Sequence, residues 1–191
     1  MNTLEICNAA LTLLNIPALA SLDDDSDAAA LVKRHFAPLR DRLLREHSWS
    51  FAEASSPLSA EAGPPSPFPD LPLGCPLPAD CIRAEGLADG GRMRLVGRSA
   101  FVASLPATLL YTRRVEDATR FDPLFAQALV HLLASEVALS CTRDANLAQH
   151  HLGQYQRLLL AAESADSAEN VDRYRRRPPR GSFLAARFGG W

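Results

Sequence analysis

Lysine is almost absent from this chain: of its 20 cationic residues, Lys33 is the only lysine and 19 are arginine. Arginine suits planar, bidentate contacts, but a GC-rich genome produces the same bias and is the simpler explanation. No apolar run exceeds five residues (Ala28–Val32, matched by Leu158–Ala162), against the roughly 20 of a membrane span, so no membrane partner is expected. The start, Met-Asn-Thr-Leu-Glu, lacks the basic region and apolar core of a secretory signal. The expectation is a chain made and folded in the cytoplasm. The four cysteines (7, 75, 81 and 141) make no zinc pattern. Cys75 and Cys81 bracket Pro76 and Pro78, and the other two lie in apolar helical stretches, whereas structural zinc wants cysteines paired two to four residues apart. Buried reduced thiols are expected, with no metal and no cofactor.

Catalytic motifs are missing as well. There is no Gly-x-Gly-x-x-Gly and no Gly-x-x-x-x-Gly-Lys, so nucleotide binding has no support. Gly97-Arg98-Ser99 continues to Ala100-Phe101 and is not a nucleophile elbow. Asp23-x-Asp25-x-Asp27 resembles the opening of a calcium loop, but such a loop needs glycine at its sixth position and glutamate at its twelfth, where Ala28 and Arg34 stand. Helix capping explains these aspartates. His150-His151 has Gln154 and Tyr155 four residues on rather than a second ligand. His131, one turn from Gln127 and Ser135, reads as a satisfied buried or interface histidine rather than a general base. No catalytic residue is assigned, and the chain is not expected to be an enzyme.

What is present is an ordinary globular composition, 47% apolar and 22% charged over 191 residues. A chain of that length buries roughly two-thirds or more of its unfolded surface and needs no staple. Asn2 with Glu5 three residues later is a capping box opening a helix that Asn15-Ile16-Pro17 ends. Its polar positions, Glu5, Asn8, Thr12 and Asn15, form one narrow stripe, so the helix is buried on most sides, in a core or between subunits. A second helix follows the acidic stretch Ser21–Asp27 and runs to about His47. It has Ala28, Val32, Phe36, Leu39 and Leu43 on one face, widened by Leu31 and Leu44, and Arg34, Arg40, Asp41, Arg42 and Arg45 pointing away. Eight of the 14 prolines lie between Ala54 and Pro78, a density no helix or central strand tolerates; the segment is expected to be an extended loop. Short strands follow at Cys81–Leu87, Met93–Val96, Ala100–Ala103 and Thr108–Val115, forming one antiparallel sheet of three or four strands. Asp122-Pro123 opens a central helix to about Cys141 that is apolar almost all round, apart from Gln127, His131, Ser135 and Glu136. Asp144 caps a last helix, with Leu147, Ala148, Leu152, Tyr155, Leu158, Leu159 and Ala162 on its buried face.

The expected fold is α+β and mainly helical: a four-helix bundle with an inserted small antiparallel β region and an extended C-terminal tail. Residues 1–53 and 116–167 form the bundle, 54–115 the proline-rich loop plus β insertion, and 168–191 the tail. Charge divides along the same line. The net −2 of the chain combines +4 in residues 168–191 with −6 in the rest, which points to a basic interaction segment on an acidic body. Four aromatics stand among its arginines: Tyr174, Phe183, Phe188 and Trp191. Arginines on phosphates with aromatics on bases would bind nucleic acid, whereas Arg, Tyr, Phe and Trp are also the usual anchors of protein docking. The consecutive prolines 178 and 179, and the alternation of apolar and basic residues, favour a strap on a protein groove. Extended, residues 171–191 would span roughly 65–75 Å.

An ordered series of segments resembles podovirus tail tubular protein A and related head-to-tail adaptors. The series runs Glu5-Ile-Cys-Asn-Ala-Ala-Leu11, Ile16, Ser21-Leu-Asp-Asp-Asp-Ser26, Arg40-Asp-Arg-Leu-Leu-Arg-Glu-His-Ser-Trp-Ser-Phe-Ala52, Leu77-Pro-Ala-Asp-Cys-Ile-Arg83, Tyr111-Thr-Arg-Arg-Val115 and Phe121-Asp-Pro-Leu-Phe125. It covers about residues 2–165. The resemblance implies a structural virion protein at the head–tail connection, assembled in the bacterial host cytoplasm. It implies a homo-oligomeric ring, typically of twelve subunits, between the portal protein ring and the downstream tail or nozzle protein, with DNA passing through without specific binding. Family members have a helical bundle with a β-rich extension, and some strap a C-terminal segment onto the portal. The heavy proline loading of 57–78 departs from the pattern. From composition and position, the docking residues are Arg173, Tyr174, Arg175, Arg176, Phe183, Phe188 and Trp191. The subunit-interface candidates are Glu5, Asn8, Thr12, Gln127 and His131. The rival from another class is a small DNA-binding or packaging-accessory protein acting through the arginine-rich tail. A tail-associated hydrolase comes last, because no acid/base pair is visible.

Overall fold

Asn2 closes the expected capping box on α1 (Thr3–Leu13): its side chain accepts the Glu5 N–H at 2.9 Å, and the Glu5 carboxylate accepts the Asn2 N–H at 2.9 Å. The computed structural model describes residues 1–61 and 66–170. α1 ends because Asn15 turns into the left-handed region, φ 57°. The N–H groups of Ile16 and Asn15 then return to the carbonyls of Leu11 and Thr12, which is a Schellman closure with asparagine in the glycine role. Ser26 caps α2 (Asp27–Glu46), which runs through an exposed Pro38 and buries Val32, Phe36, Leu39, Leu43 and Leu44. Asp122 caps α3 (Pro123–Thr142), and Asp144 caps α4 (Ala145–Glu169).

The four-helix bundle is a correction. The chain holds four helices and two three-stranded antiparallel sheets, an α+β fold. α1, α2 and α4 each pack on α3 more than on one another, and α2 also meets the β region. α3 is therefore a hub. It is the one described helix long and apolar enough to cross a membrane, which counting uninterrupted apolar runs had overlooked. Its apolar side chains from Phe125 to Ala138 are instead buried among the other three helices.

The single sheet is also corrected. β1 (Glu53–Pro57), β6 (Thr108–Arg113) and β3 (Cys81–Leu87) form one sheet in the order β1-β6-β3, and β2 (Leu73–Pro76), β5 (Ser99–Val102) and β4 (Met93–Val96) form the other in the order β2-β5-β4. β1 and β2 lie in the stretch expected to be loop. Both are edge strands ending in proline, Pro57 and Pro76, and there the missing N–H costs no central ladder bond. The two sheets share a core of Leu58, Cys75, Cys81, Leu87, Ala100, Val102, Ala107, Leu109 and Tyr111, separate from the larger helical core.

Trp49 ties the end of α2 to the start of α3. Its indole N–H donates to the Leu43 carbonyl at 2.9 Å, and its ring meets Phe125 edge-on at 5.1 Å. Phe51 and Phe121 each lie 5.0 Å from the same Phe125. The aromatic segment 49–51 and the Phe121–Phe125 turn, both part of the family resemblance, are one packed cluster.

Candidate functional site

Three clusters of polar groups each pin two elements together. The first roots the end of α4. Asp166 accepts the Ser50 N–H at 2.9 Å and the Ser50 hydroxyl at 2.5 Å on Oδ1, and its Oδ2 meets His47 Nε2 at 3.0 Å. Three turns earlier the Tyr155 hydroxyl donates to Glu46 at 2.5 Å. Burial, and then that carboxylate, hold the phenol well above its ordinary range. α4 is thus fastened to residues 46–50 along its second half, down to Asn170, whose side chain donates to the Asp166 carbonyl at 2.9 Å. Serine, histidine and aspartate meet here, but the carboxylate stands in the middle and accepts the serine hydroxyl's hydrogen bond. A nucleophilic triad needs the imidazole there instead. The arrangement is a clamp.

The second place is the seam between helices and sheets. Arg45 donates to the Ile82 carbonyl at 2.6 Å, Arg83 returns a bond to the Arg45 carbonyl at 2.8 Å, and Arg83 pairs with Glu85 at 2.7 Å. Glu85 also accepts from Ser48 at 2.9 Å and Thr112 at 3.1 Å, and Arg83 reaches the Ser48 hydroxyl. Farther along, Asp41 joins Arg40 and Arg114, both at 2.8 Å. The outward placing of Arg40 and Asp41 is corrected: Arg40 is buried and Asp41 half-buried, and Asp41 links Arg40 to Arg114 from the end of the β region. An open depression beside this pair is lined by Ala79, Asp80, Arg114 and Glu116.

The third place is the α3–α4 contact, where His131 and His151 face each other with Nδ1 atoms 3.2 Å apart. The sequence marks His131 as a buried or interface histidine and weighs His151, buried at 4% exposure, only as a metal ligand beside His150. Nothing in the spacing of two residues 20 apart marks them as a pair.

The other interface candidates have local roles in one chain. Glu5 completes the capping box. Asn8 exchanges two hydrogen bonds with the Leu19 backbone, 2.8 and 3.0 Å, closing the turn after α1, and the Thr12 hydroxyl donates to the Asn8 carbonyl at 2.8 Å. Gln127 is exposed. Apart from the exposed Leu139, the apolar surround of α3 is covered within one chain, so it is no longer an argument for a neighbouring subunit. The docking residues Arg173, Tyr174, Arg175, Arg176, Phe183, Phe188 and Trp191 lie outside the described residues, as do Pro64 and Pro65 of the proline-rich stretch.

Among the described residues no group of three or more His, Cys, Asp or Glu could hold a metal ion. Asp23 pairs with Lys33 at 2.6 Å, and Asp24 accepts the Ala20 and Ser21 N–H groups at 2.9 and 3.1 Å. These carboxylates shape the approach to α2. Cys7, Cys75 and Cys81 are buried and unpaired, and burial pushes the Cys7 thiol up to about 12. In comparisons with known proteins, no family model and no curated protein matches the chain.

Proposed function

We propose that the chain is a structural head-to-tail adaptor of a tailed phage or phage-like particle. Copies close into a ring that joins the portal to the next tail component and lets DNA pass. The observation that carries this reading is the clamped end of α4. Tyr155 and Asp166 fix the helix to residues 46–50, so the basic, aromatic segment that follows Asn170 starts from a fixed point on the body. A ring built so presents one such segment per subunit at the same height, and many modest contacts to a portal add up through effective concentration. Heterologous contacts repeated around the ring close it and create a new surface for the component below. The acidic body repels phosphate, which suits a channel that DNA crosses without sticking.

Native mass spectrometry of the protein alone and with its cognate portal ring tests this. One discrete adduct number on the portal is expected, lost when residues 171–191 are deleted. A species that stays monomeric, ignores the portal and binds DNA with a steep salt dependence would replace the reading with the DNA-binding one, since each neutralised phosphate releases counterions.

A further inference from the structure

Three histidines meet where α3 and α4 run against the end of α1. His131 of α3 and His151 of α4 approach Nδ1 to Nδ1 at 3.2 Å with ring centroids 5.3 Å apart, and His150 sets its ring edge-on to His151 at 5.2 Å. The Nε2 of His151 is buried on the side of the Leu13 backbone, without a well-formed hydrogen bond. A contact between two Nδ1 atoms needs one proton: one ring donates and the other accepts. One added proton can leave that N–H···N bond in place, but when both rings are protonated two N–H groups face each other and like charges lie a few ångströms apart in a poorly solvated site.

No opposite charge on the packed elements offsets this. From α4 the facing ionisable group is His150, itself a cation when protonated. From α3, the residues one turn either side of His131 are Gln127 and Ser135. From α1 only the Leu13 backbone acts, favouring the charged form of His151. Burial first, then the neighbouring imidazoles, hold both His131 and His151 below the ordinary histidine range.

We infer that the His131–His151 pair, with His150 beside it, is an acid-sensitive latch. When neutral it closes the first turns of α4 onto α3 and α1, and when protonated it releases them. The direction follows from linkage. The folded state binds these protons less readily than the unfolded chain, so the latch contributes fully above the ordinary imidazole range of about 6.5 and is lost as pH falls below it. Release stays local, because the second half of α4 is held separately by Tyr155–Glu46 and by Asp166. The inference stands independently of the adaptor reading.

Hydrogen exchange and thermal unfolding of the full chain at about pH 7.5 and 5.5 test it, beside a variant carrying His131→Phe and His151→Phe, which keeps two packed rings and removes both titrating pairs of nitrogens. In the native chain, exchange corrected for intrinsic rate should rise over residues 145–154 in acid while residues 162–169 stay protected. Its Tm should fall by about 2–4 °C more than that of the variant, the shift one lost interaction of ordinary size produces in a domain this long. Equal acid sensitivity of the two proteins overturns the latch, and so does loosening spread evenly along α4. Should the variant not fold, imidazole NMR titration of the native protein decides. Two coupled transitions below the ordinary histidine range are expected for His131 and His151, and independent titration at ordinary values overturns the proposal.

Discussion

The helical part closes its elements with residues close by in sequence, while the β part depends on partners far along the chain. Asn2, Ser26, Asp122 and Asp144 each cap a helix within three residues, and Asn15 ends α1 from its own turn. In the β part, Glu53 pairs with Thr112 and Cys81 with Arg113, and only β4–β5 is a tight hairpin, turned at Gly97 with φ 58°. The helical core is also the larger, with Trp49, Phe125 and six fully buried leucines, against Leu109 alone among the largest fully buried side chains of the shared sheet core. Local closure and a thick core suit a fixed body. A thin core built from long-range pairs depends on the seam that joins it to that body.

The sharpest way to break this comparison is to cut the same kind of hole in each core. Phe125→Ala removes the ring on which Trp49, Phe51 and Phe121 converge and should cost about 3–5 kcal/mol in urea unfolding, with the whole chain destabilised. Leu109→Ala, at a site equally closed to solvent, should cost about 2–3 kcal/mol. Its faster hydrogen exchange should be confined to the strands. Equal acceleration of helical and strand amides by Leu109→Ala would mean that the two parts unfold as one and that their difference in closure has no thermodynamic consequence.

Arg83→Ala sharpens the comparison at the seam. It removes the bonds to the Arg45 carbonyl, Ser48 and Glu85, and leaves Glu85 to Ser48 and Thr112. The loss should be about 1–3 kcal/mol, the cost of disrupting a half-buried charged network. The more telling expectation is a change of shape: near-ultraviolet and far-ultraviolet transitions, expected to coincide in the native chain, should separate in the variant. A single coincident transition in the variant would assign the coupling to Trp49 and the apolar contacts instead.

The same contrast explains what could be read from the residues. Capping boxes, the Asp-Pro start of α3 and the aspartate before α4 act within one turn, so their chemistry is visible as spacing, and those helix starts stand where expected. Strands β3 and β4 were equally plain from their turns. The seam was not: Arg40 and Asp41 sit at the margin of the α2 stripe, and the Arg114 that pairs with Asp41 lies 73 residues later. β1 and β2 were hidden because proline density says loop unless the segment is an edge, and being an edge is a property of the sheet. The bundle expectation failed for a related reason. The apolar surround of α3 marks it as the central helix, which it is, but the patterns of the other three do not say that each packs on α3 rather than on its neighbours in a bundle. Of the site, His131 stood out as a polar residue on an apolar helix, while His151, Asp166 and Ser50 become partners only in three dimensions.

The smallest effect belongs to the acidic stretch before α2. Asp23 is fully exposed and its carboxyl is held below the usual range, first by the hydrogen bond from Lys33 and then by its charge. Such a pair contributes above the ordinary carboxylate range and loses its contribution as acid protonates it, but in open solvent that contribution is slight. Asp23→Asn should therefore leave the Tm at neutral pH unchanged within error, and adding calcium should move neither protein. A calcium-dependent rise in the Tm of the native chain, absent in the variant, would mean that Asp23, Asp25 and Asp27 gather round an ion. Two things stand against it: Asp24 already turns its carboxylate back onto the Ala20 and Ser21 amides, and Ala28 and Arg34 occupy the positions where an ion would need a glycine turn and a closing glutamate. Helix entry, not ion binding, is what that geometry favours.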